Sequence, residues 1–116
     1  MVTGIRSEYH ILESVMRAIE SHLKLELKVV VTGTHLSPKF GSTWKLVARQ
    51  FPIAAKVPSL LPGDTLLDRA RSLGRQTEAL ARCFSKLKPD IVAVLGDREE
   101  SLATASACAY LNMACA

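Results

Sequence analysis

The stretch Ile91-Val92-Ala93-Val94-Leu95-Gly96-Asp97-Arg98 decides the fold class. An unbroken apolar run that ends at a glycine turn is typical of a parallel strand covered on both faces. The next segment, Glu99 to Leu111, is rich in alanine and begins with two acidic residues, which favours a helix. The sequence therefore predicts a buried strand that turns directly into a helix.

The same alternation of strand and helix extends over the rest of the chain. Strands are predicted at the start of the chain up to Gly4, at Leu25–Thr32, at Phe51–Pro58 and after Asn112. Helices are predicted at 7–22 with Ser7 as N-cap, at 42–50, and from a cap at Asp64 or Thr65 to Leu87, with a polar loop at 34–41. This order indicates an α/β fold with a doubly wound parallel sheet, in which the first strand lies between the second and the fourth.

Length and charge exclude several classes of protein. The 116 residues suffice for one domain, and 15 Lys and Arg against 11 Asp and Glu give a net charge of +4. Because these charges form no long run of one sign and only 5% of residues are aromatic, nucleic acid is not an expected partner. No apolar run approaches the roughly 20 residues of a membrane span, and the first residues do not resemble a secretory signal.

The three cysteines, Cys83, Cys108 and Cys115, are an odd number without CxxC spacing. They indicate reduced thiols and neither a disulfide framework nor a zinc site. The chain is therefore expected to be cytoplasmic, without a membrane partner and without a bound metal.

Three polar turns are predicted at the carboxyl ends of the strands, where parallel sheets bind ligands. They begin at Gly4, Gly33 and Gly96, and glycine allows the backbone to approach a ligand closely. The first and third turns lead into helix N-termini, which suit phosphate groups. Arg6 and Arg98 add guanidinium groups that can bind a phosphate with two hydrogen bonds.

The same turns carry His35 and Asp97. A histidine can donate to a phosphate or hydroxyl or transfer a proton, and a carboxylate beside cations stays ionised and can act as a base. Taken singly, each residue has a simpler explanation: a helix cap, a surface arginine, or a loop histidine bonded to backbone. Together they favour a site. Neither a GxGxxG fingerprint nor a Walker A motif is present, so binding of NAD or ATP is disfavoured.

Three segments resemble one enzyme family. Val2-Thr3-Gly4-Ile5-Arg6-Ser7-Glu8-Tyr9 resembles the TGTRxEY opening of the hydrolysing UDP-N-acetylglucosamine 2-epimerases. The segment from Val31 to Gly41 resembles their second-strand region, and Leu87 to Arg98 resembles their LKPDIVxVLGDR segment. The resemblance covers nearly the whole chain, in the same order.

The resemblance implies a Rossmann-like domain, part of a GT-B type fold of two domains. Residues 1–116 would form a single incomplete N-terminal domain, and the second domain would be absent. The implied reaction is anti elimination of UDP from UDP-GlcNAc, followed by water addition to give N-acetylmannosamine for sialic acid synthesis. On the matching positions, Asp97 would be a catalytic carboxylate, Arg6 and Arg98 would hold the diphosphate or sugar, and His35 would line the sugar site. No metal or redox cofactor is implied, and homo-oligomers are expected of the full-length form.

Two departures from the family pattern bear on function. Thr34 stands where the non-hydrolysing relatives carry Gln in a TGQH segment used for allosteric substrate binding. Glu99 replaces the apolar residue that commonly follows GDR and adds charge beside Asp97. Two other interpretations stay open: a non-catalytic module that binds a nucleotide sugar, and an α/β module that associates with itself through sheet edges.

The 116-residue chain by itself is expected to show no epimerase turnover, because the resemblance places about half of the site outside it. An assay of the purified chain for N-acetylmannosamine, with UDP-GlcNAc as substrate, checks this expectation. Detectable product above a no-protein blank would overturn it.

Overall fold

Parallel strands and helices alternate along the chain, and the computed structural model describes all of residues 1–116. In chain order the elements are β1 (Val2–Thr3), α1 (Arg6–Glu20), β2 (Val29–Thr32), α2 (Trp44–Ala48), β3 (Ile53–Val57), α3 (Leu66–Leu87), β4 (Ile91–Val92), α4 (Glu99–Tyr110) and β5 (Ala114–Cys115). Two short 3-10 helices, Gly33–Leu36 and Pro38–Phe40, follow β2. The α/β class predicted from the sequence is confirmed.

The sheet has the strand order β3-β2-β1-β4-β5. β1 and β3 pair in parallel with the two sides of β2, and β5 pairs in parallel with β4. The two parts meet at β1, because the Val2 N–H donates to the Ala93 carbonyl oxygen at 2.8 Å. The first strand therefore lies between the second and the fourth, as the alternation predicts.

Each face of the sheet has its own core, and β2 divides its side chains between them. Val30 packs with Leu80 and Phe84 in the cluster under α3 and α4. Val29 and Val31 pack on the opposite face in the cluster under α1 and α2. Successive side chains of a strand point to opposite faces, so a run of three valines serves both cores.

Helix α3 has the most complete terminal signals of the fold. The Thr65 side chain accepts from the Asp68 N–H, and the Asp68 carboxylate accepts in return from the Thr65 N–H, which is a capping box. Lys88 ends the helix in the left-handed conformation, with φ 47°. Of the two predicted caps, Asp64 and Thr65, the structure shows Thr65, and the predicted end at Leu87 is confirmed.

Several predicted boundaries are wrong. Ser7 is not the N-cap of α1: Ile5 occupies that position without a side-chain hydrogen bond, and Ser7 lies inside the first turn. β2 begins at Val29 and not at Leu25, since Val29 is the first of its residues with a partner on a neighbouring strand. The predicted loop at 34–41 contains the two 3-10 helices, and the second predicted helix shrinks to Trp44–Ala48. β4 is assigned only over Ile91–Val92, although its hydrogen bonding to the end of the chain continues to Val94.

None of the helices combines the length and the apolar character that a membrane crossing requires.

The buried face of α3 provides a direct test of the core. Leu80 is fully buried, whereas Leu67 on the same helix is 59% exposed. Leu80→Ala is expected to lower the free energy of unfolding by about 3 kcal/mol, because it removes transfer energy and leaves a cavity. Leu67→Ala is the matched control and should change it by less than about 0.5 kcal/mol. Urea denaturation followed by circular dichroism measures both, and equal effects would contradict the assigned packing of α3.

Candidate functional site

The turns after β1 and β2 meet at Gly4. The Gly4 carbonyl oxygen accepts from the His35 N–H at 3.1 Å and from the Thr34 hydroxyl at 3.0 Å. The Glu100 side chain packs against both Gly4 and Gly33, and a Cβ at either glycine would overlap it. A larger residue at either position would therefore force Glu100 to move, and Gly33 also has a positive φ of 56°.

The turn after β4 packs against the first turn of α1. Gly96 has φ +99°, and the Glu8 carboxylate occupies the space that a Cβ at Gly96 would need. Partial burial raises the pKa of Glu8, and the nearby Glu100 carboxylate raises it further. All three glycine turns thus lie together at the carboxyl edge of the sheet, which is the edge where parallel sheets place their ligands.

An alternating row of charges crosses the N-terminus of α4. The Arg69 guanidinium binds Glu99 at 3.0 Å, and the other oxygen of Glu99 lies 3.7 Å from Arg98. Arg98 Nε in turn lies 3.4 Å from Glu100 Oε2. We call Arg69, Glu99, Arg98 and Glu100 the ion row. A backbone hydrogen bond, then the hydrogen bond from Arg69, hold the pKa of Glu99 below its usual range.

The ion row forms one wall of a cleft of about 450 Å³ between α4, α3 and the segments that follow β2 and β3. Lys39 and Phe40, from the second 3-10 helix after β2, also line the cleft. Two buried polar side chains, Ser59 and Gln76, also line the cleft. The Gln76 amide donates to Thr32, whereas the Ser59 hydroxyl is buried without a hydrogen-bond partner. A cleft with arginine side chains and one unpaired buried hydroxyl is suited to a polar, anionic ligand.

The structure places the predicted site residues at different depths. Arg98 is half-buried at the N-cap of α4 and lines the cleft. Asp97 is exposed on the preceding turn and forms no ion pair, so its expected pairing with neighbouring cations is absent. Arg6 is exposed on the first turn of α1 and donates from Nε to His10 at 3.3 Å. Neither Arg6 nor Asp97 lines the cleft.

His35 lies beneath the turns and is fully buried. Its Nε2 atom is 3.0 Å from the Thr3 hydroxyl, and its Nδ1 atom is 2.8 Å from the Thr43 hydroxyl. Burial lowers the pKa of His35 to about 4, so the imidazole is neutral near pH 7. The neutral imidazole is hydrogen-bonded through both of its nitrogens and so connects the end of β1 to the start of α2.

Sequence reasoning missed the buried carboxylate of Glu100, as well as Arg69, Ser59 and Gln76. From the sequence alone, Glu100 is predicted to be an ordinary acidic residue in the first turn of a helix, and Arg69 is predicted to be a solvent-exposed helix residue. Only the glycines at positions 4 and 33 hinted that a side chain from elsewhere fills the space between them. No group of three or more His, Cys, Asp or Glu side chains is arranged to hold a metal ion.

The buried His35 makes stability depend on pH. Its pKa is lowered from 6.5 to about 4 in the folded chain, so the unfolded chain binds the proton more tightly. The stability contributed by neutral His35 is therefore complete above pH 6.5 and is lost as pH falls toward 4. Between pH 7 and pH 5 this loss amounts to about 2 kcal/mol.

His35→Gln should therefore show a fall in unfolding free energy between pH 7 and pH 5 that is smaller by about 2 kcal/mol than in the parent chain. Urea titrations at the two pH values measure it. His22→Gln, the same substitution at an exposed histidine, provides the control for the change of residue type. An unchanged slope in His35→Gln would show that another group carries the effect.

Comparisons with known proteins agree with the resemblance found in the motifs. The family model described as UDP-N-acetylglucosamine 2-epimerase matches residues 17–116. The GDP/UDP-N,N'-diacetylbacillosamine 2-epimerase (hydrolyzing) of Campylobacter jejuni is 36% identical over 113 residues, which are 97% of this chain and 29% of that protein. The UDP-N,N'-diacetylbacillosamine 2-epimerase (hydrolyzing) of Legionella pneumophila is 33% identical over 97% of this chain and 30% of its own length.

Among solved structures, UDP-GlcNAc 2-epimerase from Neisseria meningitidis bound to UDP-GlcNAc superposes with a TM-score of 0.79 at 21% identity, over 98% of this chain and 30% of that one. This likeness concerns the fold. The chain thus spans about 30% of the length of the relatives it matches. The extent of the family match establishes that the chain belongs to the UDP-N-acetylglucosamine 2-epimerase family.

Proposed function

We propose that this chain forms the N-terminal, Rossmann-like part of a hydrolysing 2-epimerase with two domains, which acts on UDP-GlcNAc or a closely related nucleotide sugar. The observation that carries the proposal is the meeting of the Gly4, Gly33 and Gly96 turns at one sheet edge, with Arg98 at a helix N-terminus above an open cleft. This arrangement is suited to a diphosphate and an attached sugar.

The proposed reaction has two steps. A base removes the proton from C2 of the sugar while the bond between C1 and the phosphate oxygen breaks, and its electron pair leaves with UDP. Water then adds across the double bond of the glycal. Its oxygen binds C1, and C2 receives a proton on the face opposite to the one from which the first proton was removed. The products are N-acetylmannosamine and UDP. These steps require a carboxylate for proton transfer and cations for the leaving diphosphate.

The predicted site residues keep their proposed roles at the turns of the sheet edge, although only Arg98 among them lines the cleft itself. Asp97 is the proposed catalytic carboxylate, because it projects from the turn after β4 without a competing ion pair. Arg98 and Arg6 are the proposed diphosphate ligands, and both lie at helix N-termini. His35, which the resemblance places along the sugar site, is buried and does not line the cleft, so its proposed role is indirect: in its neutral form it holds the hydroxyls of Thr3 and Thr43.

Two observations support the hydrolysing outcome and its context. Both similar bacillosamine epimerases carry "hydrolyzing" in their names, and Thr34 departs from the Gln of the non-hydrolysing pattern. We accordingly propose a cytoplasmic enzyme of sialic-acid-type sugar synthesis, with UDP-GlcNAc or its bacillosamine-type analogue as substrate and with homo-oligomers in the full-length form.

Calorimetric titration of the purified chain with UDP and UDP-GlcNAc tests the proposal. Arg98→Ala is expected to weaken UDP binding about tenfold or more, because it removes charge-assisted hydrogen bonds to the diphosphate. Asp97→Asn should bind UDP within about twofold of the parent, since its proposed role concerns the sugar proton.

Arg82 provides a control of equal charge, because it is exposed and pairs with Glu78 on α3 outside the cleft. Arg82→Ala should bind UDP as the parent does. Failure of the parent to bind either nucleotide, or equal affinities in Arg98→Ala and Arg82→Ala, would contradict the proposed site. Binding without product in a full-length relative carrying this segment would favour a non-catalytic binding module.

A further inference from the structure

We propose that Glu100 is a positioning residue that holds the Arg98 guanidinium at the cleft. The identity of the ligand, a nucleotide sugar, rests on the proposed function, whereas the contact between Glu100 and Arg98 is observed in the structure. Glu100 is the buried end of the ion row, and both it and Arg98 line the cleft.

The first support is the burial of both partners. Glu100 is only 4% exposed, and neither its Oε2 atom nor the Nε atom of Arg98 has a hydrogen-bond partner. These two buried atoms lie 3.4 Å apart. An isolated carboxylate in such surroundings is strongly unfavourable, so the guanidinium is the counter-charge that makes the burial of Glu100 possible. The dependence is mutual, because Arg98 has no other buried anion in contact.

The second support is the space around the carboxylate. The side chain of Glu100 fits between Gly4 and Gly33 only because neither residue has a Cβ. Packed between two backbone segments, the carboxylate has little freedom to follow Arg98 if the guanidinium moves. A fixed anion at Nε therefore restrains the whole planar guanidinium and leaves its other nitrogens directed away from the pair.

The exposed side of Arg98 is held much less firmly. Glu99 lies 3.7 Å from Arg98, is 40% exposed and is shared with Arg69. An exposed ion pair at that distance does little to hold the Arg98 guanidinium in one position. The restraint on Arg98 therefore comes from Glu100 and not from its neighbour in sequence.

The sign of one measurement separates positioning from simple electrostatics. A negative charge near a bound diphosphate repels it, so loss of that charge by itself would tighten anion binding. Loss of a positioning contact has the opposite effect, because Arg98 must then be ordered when the ligand binds. Glu100→Gln keeps the shape of the side chain, removes its charge and replaces one acceptor oxygen with an amide donor.

The experiment combines nucleotide binding with a readout that needs no ligand. Calorimetry gives the dissociation constant for UDP, and nitrogen-15 NMR gives the hydrogen-exchange rate of the Arg98 Nε–H. In Glu100→Gln we expect the dissociation constant to rise about fivefold and the exchange rate about tenfold. In an Arg98→Ala background, Glu100→Gln should change UDP affinity by less than about twofold.

The controls cover charge and folding. Glu78→Gln removes one negative charge from the exposed surface of α3 and should leave both readouts unchanged. Glu100→Asp keeps the charge on a shorter side chain, and we expect it to restore UDP affinity to within about threefold of the parent. Thermal unfolding of each variant shows whether it is folded at the temperature of the assay.

The inference would be overturned if the Arg98 Nε–H of the parent exchanged as fast as those of exposed arginines. It would also be overturned if Glu100→Gln bound UDP as tightly as the parent or more tightly. A third contrary result would be a loss of UDP affinity on Glu100→Gln that is as large in the Arg98→Ala background as in the parent. If the parent does not bind UDP, the proposed function fails, and the exchange rates alone then decide whether Glu100 positions Arg98.

Discussion

The sheet and the site both depend on the backbone of β1. On one side the Val30 N–H donates to the Met1 carbonyl oxygen at 2.9 Å, and on the other the Val2 N–H donates to the Ala93 carbonyl oxygen at 2.8 Å. These bonds join the two halves of the sheet through a strand that spans only Val2–Thr3. Gly4 follows at once, so the point where the turns meet is fixed by the pairing of β1 with both neighbours.

Secondary structure followed from the sequence wherever local signals were strong. Helix α3 is an example, since Thr65 caps it and Lys88 with Pro89 ends it within a few residues. The segment Leu25–Thr32, in which apolar and charged residues alternate before the run of valines, predicts a strand from Leu25, but β2 begins only at Val29. A strand requires a hydrogen-bonded neighbouring strand as well as a suitable sequence pattern. Neither β1 nor β3 has a residue that pairs in register with this segment before Val29.

The sequence predicts the location of the candidate site but not which of its side chains are buried. The rule that ligands bind at the carboxyl edge of a parallel sheet identified the three turns and the arginine at the start of α4. It did not indicate that His35 is buried or that Glu100 points inward. Both facts depend on contacts between residues far apart in the chain: His35 with Thr3, and Glu100 with Gly4 and Gly33. Such contacts have no periodicity from which a sequence could reveal them.

The ion row also constrains how an anion can enter the cleft. Its two arginines and two glutamates cancel in formal charge, so attraction depends on which carboxylates can move aside. Glu99 is partly exposed and bonded to Arg69, whereas Glu100 is enclosed by backbone. If a phosphate binds Arg98 as proposed, it would compete first with the partly exposed Glu99 and not with the enclosed Glu100. Because Arg69 shares Glu99 with Arg98 and also lines the cleft, displacement of Glu99 would leave a second guanidinium free to bind the same anion.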